Sequence, residues 1–217
     1  MLKYEFTNET KKIVDYLGNL HTLHRIRALK DFGDVHKGDL GGWIEKEENL
    51  SQEGNCWVYG NAMVYGNAMV FGDAGAYGNA LVYNDAQVYG TVGVYDNAQV
   101  YGNAQVFGHA RVHDNAMVYN DAQVHGFTWV CGNAQVYGNA KVTDDAQVCD
   151  NAQVYGNARV FGHAQVFDDC EVYNNAKVYD DAQVFGHAKI YDDAQVHGIA
   201  RVCDNSVVCD DTEVLDV

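Results

Sequence analysis

From Val58 to Val214 the chain repeats every six residues without an insertion, beginning VYGNAM, VYGNAM, VFGDAG. The first place in the hexad is Val at 25 of 27 positions, and the fifth is Ala at 21 of 26. Val92, Thr128, Cys170, Ser206 and Thr212 are the exceptions at the fifth place, while the third is Gly, Asn or Asp at all 27 positions. Read as Ala-x-Val-aromatic, each hexad alternates inward and outward like a short strand. The third place is then the turn, where Gly, Asn and Asp tolerate a positive φ. Proline is absent. Each strand must donate its N–H groups to a neighbouring coil, and proline has none to donate.

The number of strands per coil follows from the second place. A period of 18 residues collects Tyr65, Tyr83, Tyr101, Tyr119, Tyr137, Tyr155, Tyr173 and Tyr191 into one column. The other 19 second places hold five tyrosines among Phe, His, Cys, Thr and Leu. Periods of 12 or 24 produce no such column. The expected fold is therefore all-β, a three-sided parallel β-helix with Val64, Val82 and Val100 stacked inside. At about 4.8 Å per layer, nearly nine coils make a prism roughly 40 Å long.

Residues 1–40 read as a small β cap and residues 41–217 as the β-helix. LHTLHRIRAL alternates like a strand, KYEFT and KIVDY are further short candidates, and GDLGG reads as a turn. Ile44, Leu50 and Cys56 fall in phase with the inward alanines, so coiling is expected to begin near Gly41. The cap would cover the first coil, whose open end would otherwise expose unpaired backbone. The final coil carries Asp210, Asp211, Glu213 and Asp216, charges that would discourage end-to-end stacking.

The segment RIRALKDFGDVHKGDLGGWIEKEENLSQEGNCWVYGNA, above all its GDLGGWIE and QEGNCWVY, resembles the stretch that precedes hexapeptide arrays in YdcK-type bacterial and phage proteins. That resemblance implies a left-handed coil and a transferase-like fold. It brings no established catalytic residue, and its phage members imply a host-directed accessory or inhibitory role.

The net charge is −16, of which residues 58–217 carry −14, from twenty acids against six Lys or Arg. Such a surface is expected to repel nucleic acid and anionic lipid. No apolar run approaches membrane-spanning length and the start is not a signal peptide, so the chain reads as cytoplasmic and its six cysteines as reduced thiols.

An 18-residue period turns the sequence into a surface map. The irregular hexad VHGFTW places Phe127 and Trp129 outside, beside His109 and Arg111 on the preceding coil. Trp and Arg amid polar groups are common interface anchors. His113, Cys131 and Cys149 form a line within reach of one Zn²⁺, but they offer three ligands only. Asp192, Asp193, Asp210 and Asp211 gather four carboxylates at one corner, a weak Ca²⁺ candidate. No cofactor is expected. The tyrosine column is the strongest surface signal, an amphipathic strip suited to self-association.

The expected function is therefore a non-catalytic binding protein, in which an acidic prism engages itself and an unidentified protein or imitates nucleic acid. An acyltransferase and a structural rod are the alternatives. Acyltransferases of this fold resemble one another in using a His base in a cleft between subunits, with loops projecting from the coils. The uninterrupted hexads here supply neither loop nor pocket.

Overall fold

A computed structural model describes residues 2–216. Three sheets form the walls of the expected three-sided solenoid, and all pairing between coils is parallel. The tyrosine face runs through strands at Met63–Val64, Leu81–Val82 and onward to Val207–Val208. The second face runs from Met69–Val70 to Glu213–Asp216, and the third from Trp57–Val58 to Arg201–Val202. Val82 pairs with Val64 and Val100 in register, so one coil is one 18-residue step.

The reason for this closure is local. Fourteen glycines and twelve Asn or Asp residues in the third place of the hexad have φ between +57° and +89°. An L-residue with a β-carbon pays about 1–2 kcal/mol there, least when its side chain is short and polar. Between the corners Ala and Val point inward and are fully buried from Ala62 to Ile190 in nearly every coil. The last coil differs: Ser206 and Thr212 replace alanine where the core meets water, and both are exposed. Polar side chains at that place blunt an open end.

The outward positions form ladders as well. Asn79, Asn97, Asn115 and Asn133 each donate the amide to the asparagine one coil on, at 2.9–3.2 Å. Tyr65 through Tyr191 stack ring on ring with centroids 4.8–5.1 Å apart. Aromatic contacts of this kind contribute roughly 0.5–1.5 kcal/mol each.

The N-terminal residues depart from expectation in detail. The two short candidates are one strand, β1 (Tyr4–Val14), paired antiparallel with β2 (Leu20–Ala28). The GDLGG segment is a turn only at Gly38: Gly41 and Gly42 lie inside β3 (Leu40–Ile44), which pairs antiparallel with β2 and parallel with Met63–Val64. A β-carbon on Gly41 would stand 2.6 Å from Ile26 and Trp57, and one on Gly42 would stand 2.5 Å from the Ala62 carbonyl. The glycines are there for close approach.

The hairpin has two jobs along its length. Its base plugs the first coil, with Tyr4, Ile26 and Ala28 buried in the same core as Leu50, Cys56 and Trp57. Lys3 is buried there too; its Nζ donates to the carbonyl of Cys56 at 2.9 Å and to its sulfur at 3.1 Å. The distal half lies against the outside of the tyrosine face, where Leu23 packs with Tyr65 and Tyr83. His21 pins it by contacts to Glu45 (2.9 Å) and Asp15 (3.4 Å).

Cys131 and Cys149 form a disulfide, with Cα atoms 4.5 Å apart. This corrects the expectation of six free thiols; Cys56, Cys170, Cys203 and Cys209 remain free. In-register parallel pairing places outward residues of adjacent coils within the Cα window of a disulfide. Among the described residues no helix is long and apolar enough to cross a membrane.

Burial lifts the phenols of Tyr65 and Tyr119 to about 12, from 10.0. Burial raises Tyr83 as well. A folded phenol with a raised pKa keeps a proton that the unfolded chain would release. Its stabilisation is complete below pH about 10 and is lost as pH climbs toward 12. We expect tyrosinate absorbance in the folded protein to lag free tyrosine, and the melting temperature to fall steadily above pH 10. A melting temperature flat from pH 9 to 11.5 would remove the ladder from the stability argument.

Candidate functional site on the third face

The eight tyrosines do not form one free strip. Tyr65 and Tyr83 are only 6% and 8% exposed, because the chain's own hairpin covers them. Tyr101 packs at the margin of the same cluster, and Tyr119, Tyr137, Tyr155, Tyr173 and Tyr191 are half-buried. Their hydroxyls also have partners within the chain. Tyr83, Tyr119 and Tyr137 donate to Gln99, Gln135 and Gln153 on the next coil at 3.1–3.3 Å, and Tyr155 donates to Glu171 at 2.9 Å. This hydrogen bond is a reason within the fold for Tyr in place of Phe, so the column does not require a partner.

Phe127 and Trp129 are different, standing 61% and 43% exposed. Phe127 stacks on His109 with centroids 4.6 Å apart, and the Arg111 guanidinium lies 5.5 Å from the Trp129 ring. His113 meets Trp129 edge-on at 6.0 Å. Together with Thr91 and Tyr95, the four residues His109, Arg111, Phe127 and Trp129 line a depression of about 440 Å³. The sequence map had brought these four together; Thr91 and Tyr95 it missed.

The missed residues have a signal. At the outward strand position before each inward Val, Ile or Ala, only coils at 75 and 93 carry glycine. Those two glycines are covered by rings: a β-carbon on Gly93 would stand 2.1 Å from Tyr95, and one on Gly75 would stand 2.4 Å from Tyr77. The tyrosines fold back flat over the sheet, and Tyr95 becomes the floor. Arg111 and Trp129, on the next two coils, resume full-length side chains and make the wall.

Inside this wall sits Thr128, fully buried in an alanine column, its hydroxyl without a hydrogen-bond partner. A buried unsatisfied hydroxyl costs about 1–3 kcal/mol. The coil after the wall is clamped by the Cys131–Cys149 disulfide. That bond also disposes of the proposed Zn²⁺ line, since the two sulfurs are bonded to one another, and His113 Nδ1 lies 2.9 Å from Asp114.

Asp192, Asp193, Asp210 and Asp211 line a second depression of about 540 Å³ with Gly156, Asn157, Asn174 and Asn175. Asp192 accepts from Asn174 at 2.8 Å and Asp193 from Asn175 at 3.1 Å. The carboxylates follow the corner instead of converging. Among the described residues no three His, Cys, Asp or Glu side chains are grouped to hold a metal ion.

We expect Thr128→Ala to raise stability by ~1 kcal/mol, because it removes the orphan hydroxyl and restores the common residue of its column. Gly93→Gln should leave the β-helix intact while displacing Tyr95, read as a changed accessibility of Trp129 to acrylamide quenching. A destabilised Thr128→Ala protein would mean that the methyl's packing outweighs the hydroxyl's desolvation.

Comparison with known proteins accords with this architecture. The family profile described as the YdcK β-solenoid repeat matches residues 58–70, 77–90, 98–114, 110–126, 134–150 and 152–168. A 37-residue stretch is 57% identical to a protein of Escherichia coli K12 described as "Uncharacterized acetyltransferase YdcK". It amounts to 17% of this chain and 11% of that relative. The description corrects the expectation that the chain is not an enzyme, which rested on the missing loops and the missing pocket. Repeat and N-terminal stretch agree: the chain is a β-solenoid whose repeats and N-terminal stretch are similar to those of YdcK-type proteins.

Proposed function

We propose that this solenoid is a binding protein that engages a macromolecular partner through the third-face depression. One observation carries the reading. In an array whose aromatic ladders are otherwise half-buried, Phe127 and Trp129 stand out from the surface beside an arginine. Among the described residues the Arg111 guanidinium has no ion pair and no hydrogen bond within the chain, its backbone N–H alone donating to the Thr128 carbonyl at 2.9 Å, so its side-chain donors are free for a partner. Aromatic and arginine side chains around a small apolar floor, with polar groups at the rim, make up the energetic centre of many interfaces. The orphan hydroxyl of Thr128 is consistent with a local loss of stability retained for function.

A second reading is favoured by the description of the E. coli relative, acetyl transfer. The same depression would hold the reacting group, and His109, stacked on Phe127, is the side chain there suited to general acid–base work.

A photo-crosslinking residue at Thr91, on the rim, should capture a defined product in source cells, whereas one at Gln165, further along the same face, should not. Phe127→Ala with Trp129→Ala should weaken capture by at least about tenfold. Equal capture at both positions would defeat the binding reading. Turnover of acetyl-CoA that disappears in His109→Asn would establish the second reading instead.

A further inference from the structure

The array's charge is not evenly acidic. Three of its six Lys or Arg residues lie in one ladder on the second face, Lys141, Arg159 and Lys177. Lys141 pairs in register with Arg159, and Arg159 with Lys177. Like charges directly opposite one another on adjacent strands are destabilising. Among the described residues none of the three has a carboxylate within ion-pair distance, although acids outnumber bases twenty to six in the array. Arg159 rests over Phe161 at 5.4 Å instead.

The edge beside this ladder changes sign along its length. Asn139, Asn157, Asn175 and Asp193 form a hydrogen-bonded column at the adjoining corner, each step 3.1 Å. Toward the N-terminal end, Asn139, Lys141, Asn157 and Arg159 line a basic depression of about 300 Å³. Toward the C-terminal end lies the acidic depression with Asp192, Asp193, Asp210 and Asp211, and Asn157 borders both. Glu213, one coil beyond Gln195 in the same ladder, extends the acidic half.

A straight edge that is basic at one end and acidic at the other is complementary to itself when turned end for end. We propose that this edge is an interface with a second copy of the chain, in which two solenoids lie antiparallel about a two-fold axis. Turning the edge about a point between Lys177 and Asp193 sets Arg159 opposite the partner copy's Asp211 and Glu213. The same turn sets Lys177 opposite its Asp193. The contact is isologous, so each complementary pairing occurs twice. Two chains of charge −16 repel at long range. That repulsion is screened beyond about 8 Å at physiological ionic strength, whereas contact pairs are screened far less. The interface lies away from the Phe127–Trp129 depression, so the two proposals stand or fall separately.

Charge reversal tests it on the full chain by sedimentation velocity. The natural protein should be a dimer. Lys141→Glu, Arg159→Glu and Lys177→Glu together make an all-acidic edge. Asp193→Lys, Asp211→Lys and Glu213→Lys together make every position named in these pairings basic. Each variant alone should be monomeric, with self-association weakened by at least about tenfold. An equimolar mixture of the two should restore a dimer containing one of each, which also shows that both variants are folded. A monomeric natural protein would overturn the proposal, as would reversed variants that remain dimers or a mixture that does not associate. Binding of poly-glutamate to a monomeric natural protein would assign the ladder to an acidic partner other than a copy, and would overturn it equally.

Discussion

The whole molecule depends on a corner conformation. At the third residue of each hexad the backbone takes a positive φ, and the chain turns while its outward and inward alternation is preserved. Because the turn occupies the same place in every hexad, three strands close a coil after 18 residues. The next coil then lands on it in register. Once that is set, the N–H groups of one coil meet the carbonyls of the next, and each side chain meets its own counterpart about 4.8 Å away. A one-residue insertion would turn the following valines outward, which is why the array tolerates none.

Register has consequences on the outside as much as in the core. Any residue type repeated at 18 becomes a ladder, so tyrosines stack, asparagines pass amide hydrogen bonds along a corner, and two cysteines become a disulfide. Ladders satisfy themselves, and a ladder of identical residues is therefore weak evidence for a partner. The informative places are those where a ladder fails to satisfy itself. Phe127 and Trp129 leave their rings in water, Thr128 leaves a hydroxyl unpaired, and Lys141, Arg159 and Lys177 set like charges side by side.

The hairpin of β1 and β2 joins these two levels. Its base closes the hydrophobic end of the coil, and its distal half lies over the first tyrosines, so one element both caps the core and removes part of the surface. His21 sits between Glu45 and Asp15 at the point where the hairpin meets the prism. Burial alone would lower its pKa, but the two carboxylates outweigh burial and raise it. The stabilisation from that charge is complete below the ordinary histidine range and fades as pH rises through the raised value.

The sequence by itself determined the three-sided coil, the inward Val and Ala columns and the turn residues, because each follows from a period that repeats 27 times and averages out local exceptions. It also grouped His109, Arg111, Phe127 and Trp129, since residues 18 apart must be neighbours once the coil is known. The fold alone decided what depends on a single non-repeating contact. The sequence could not tell that β1 and β2 bend over Tyr65 and Tyr83, because the hairpin's course is set by Leu23 and His21 meeting residues more than 40 positions away. Nor could it tell that Gly41 and Gly42 belong to a strand, since glycine there answers to the Ile26 and Trp57 side chains and the Ala62 carbonyl. Tyr95 became a floor by the same kind of cause: removing one side chain at Gly93 leaves room for a ring to lie down, and only packing in three dimensions shows which ring takes it.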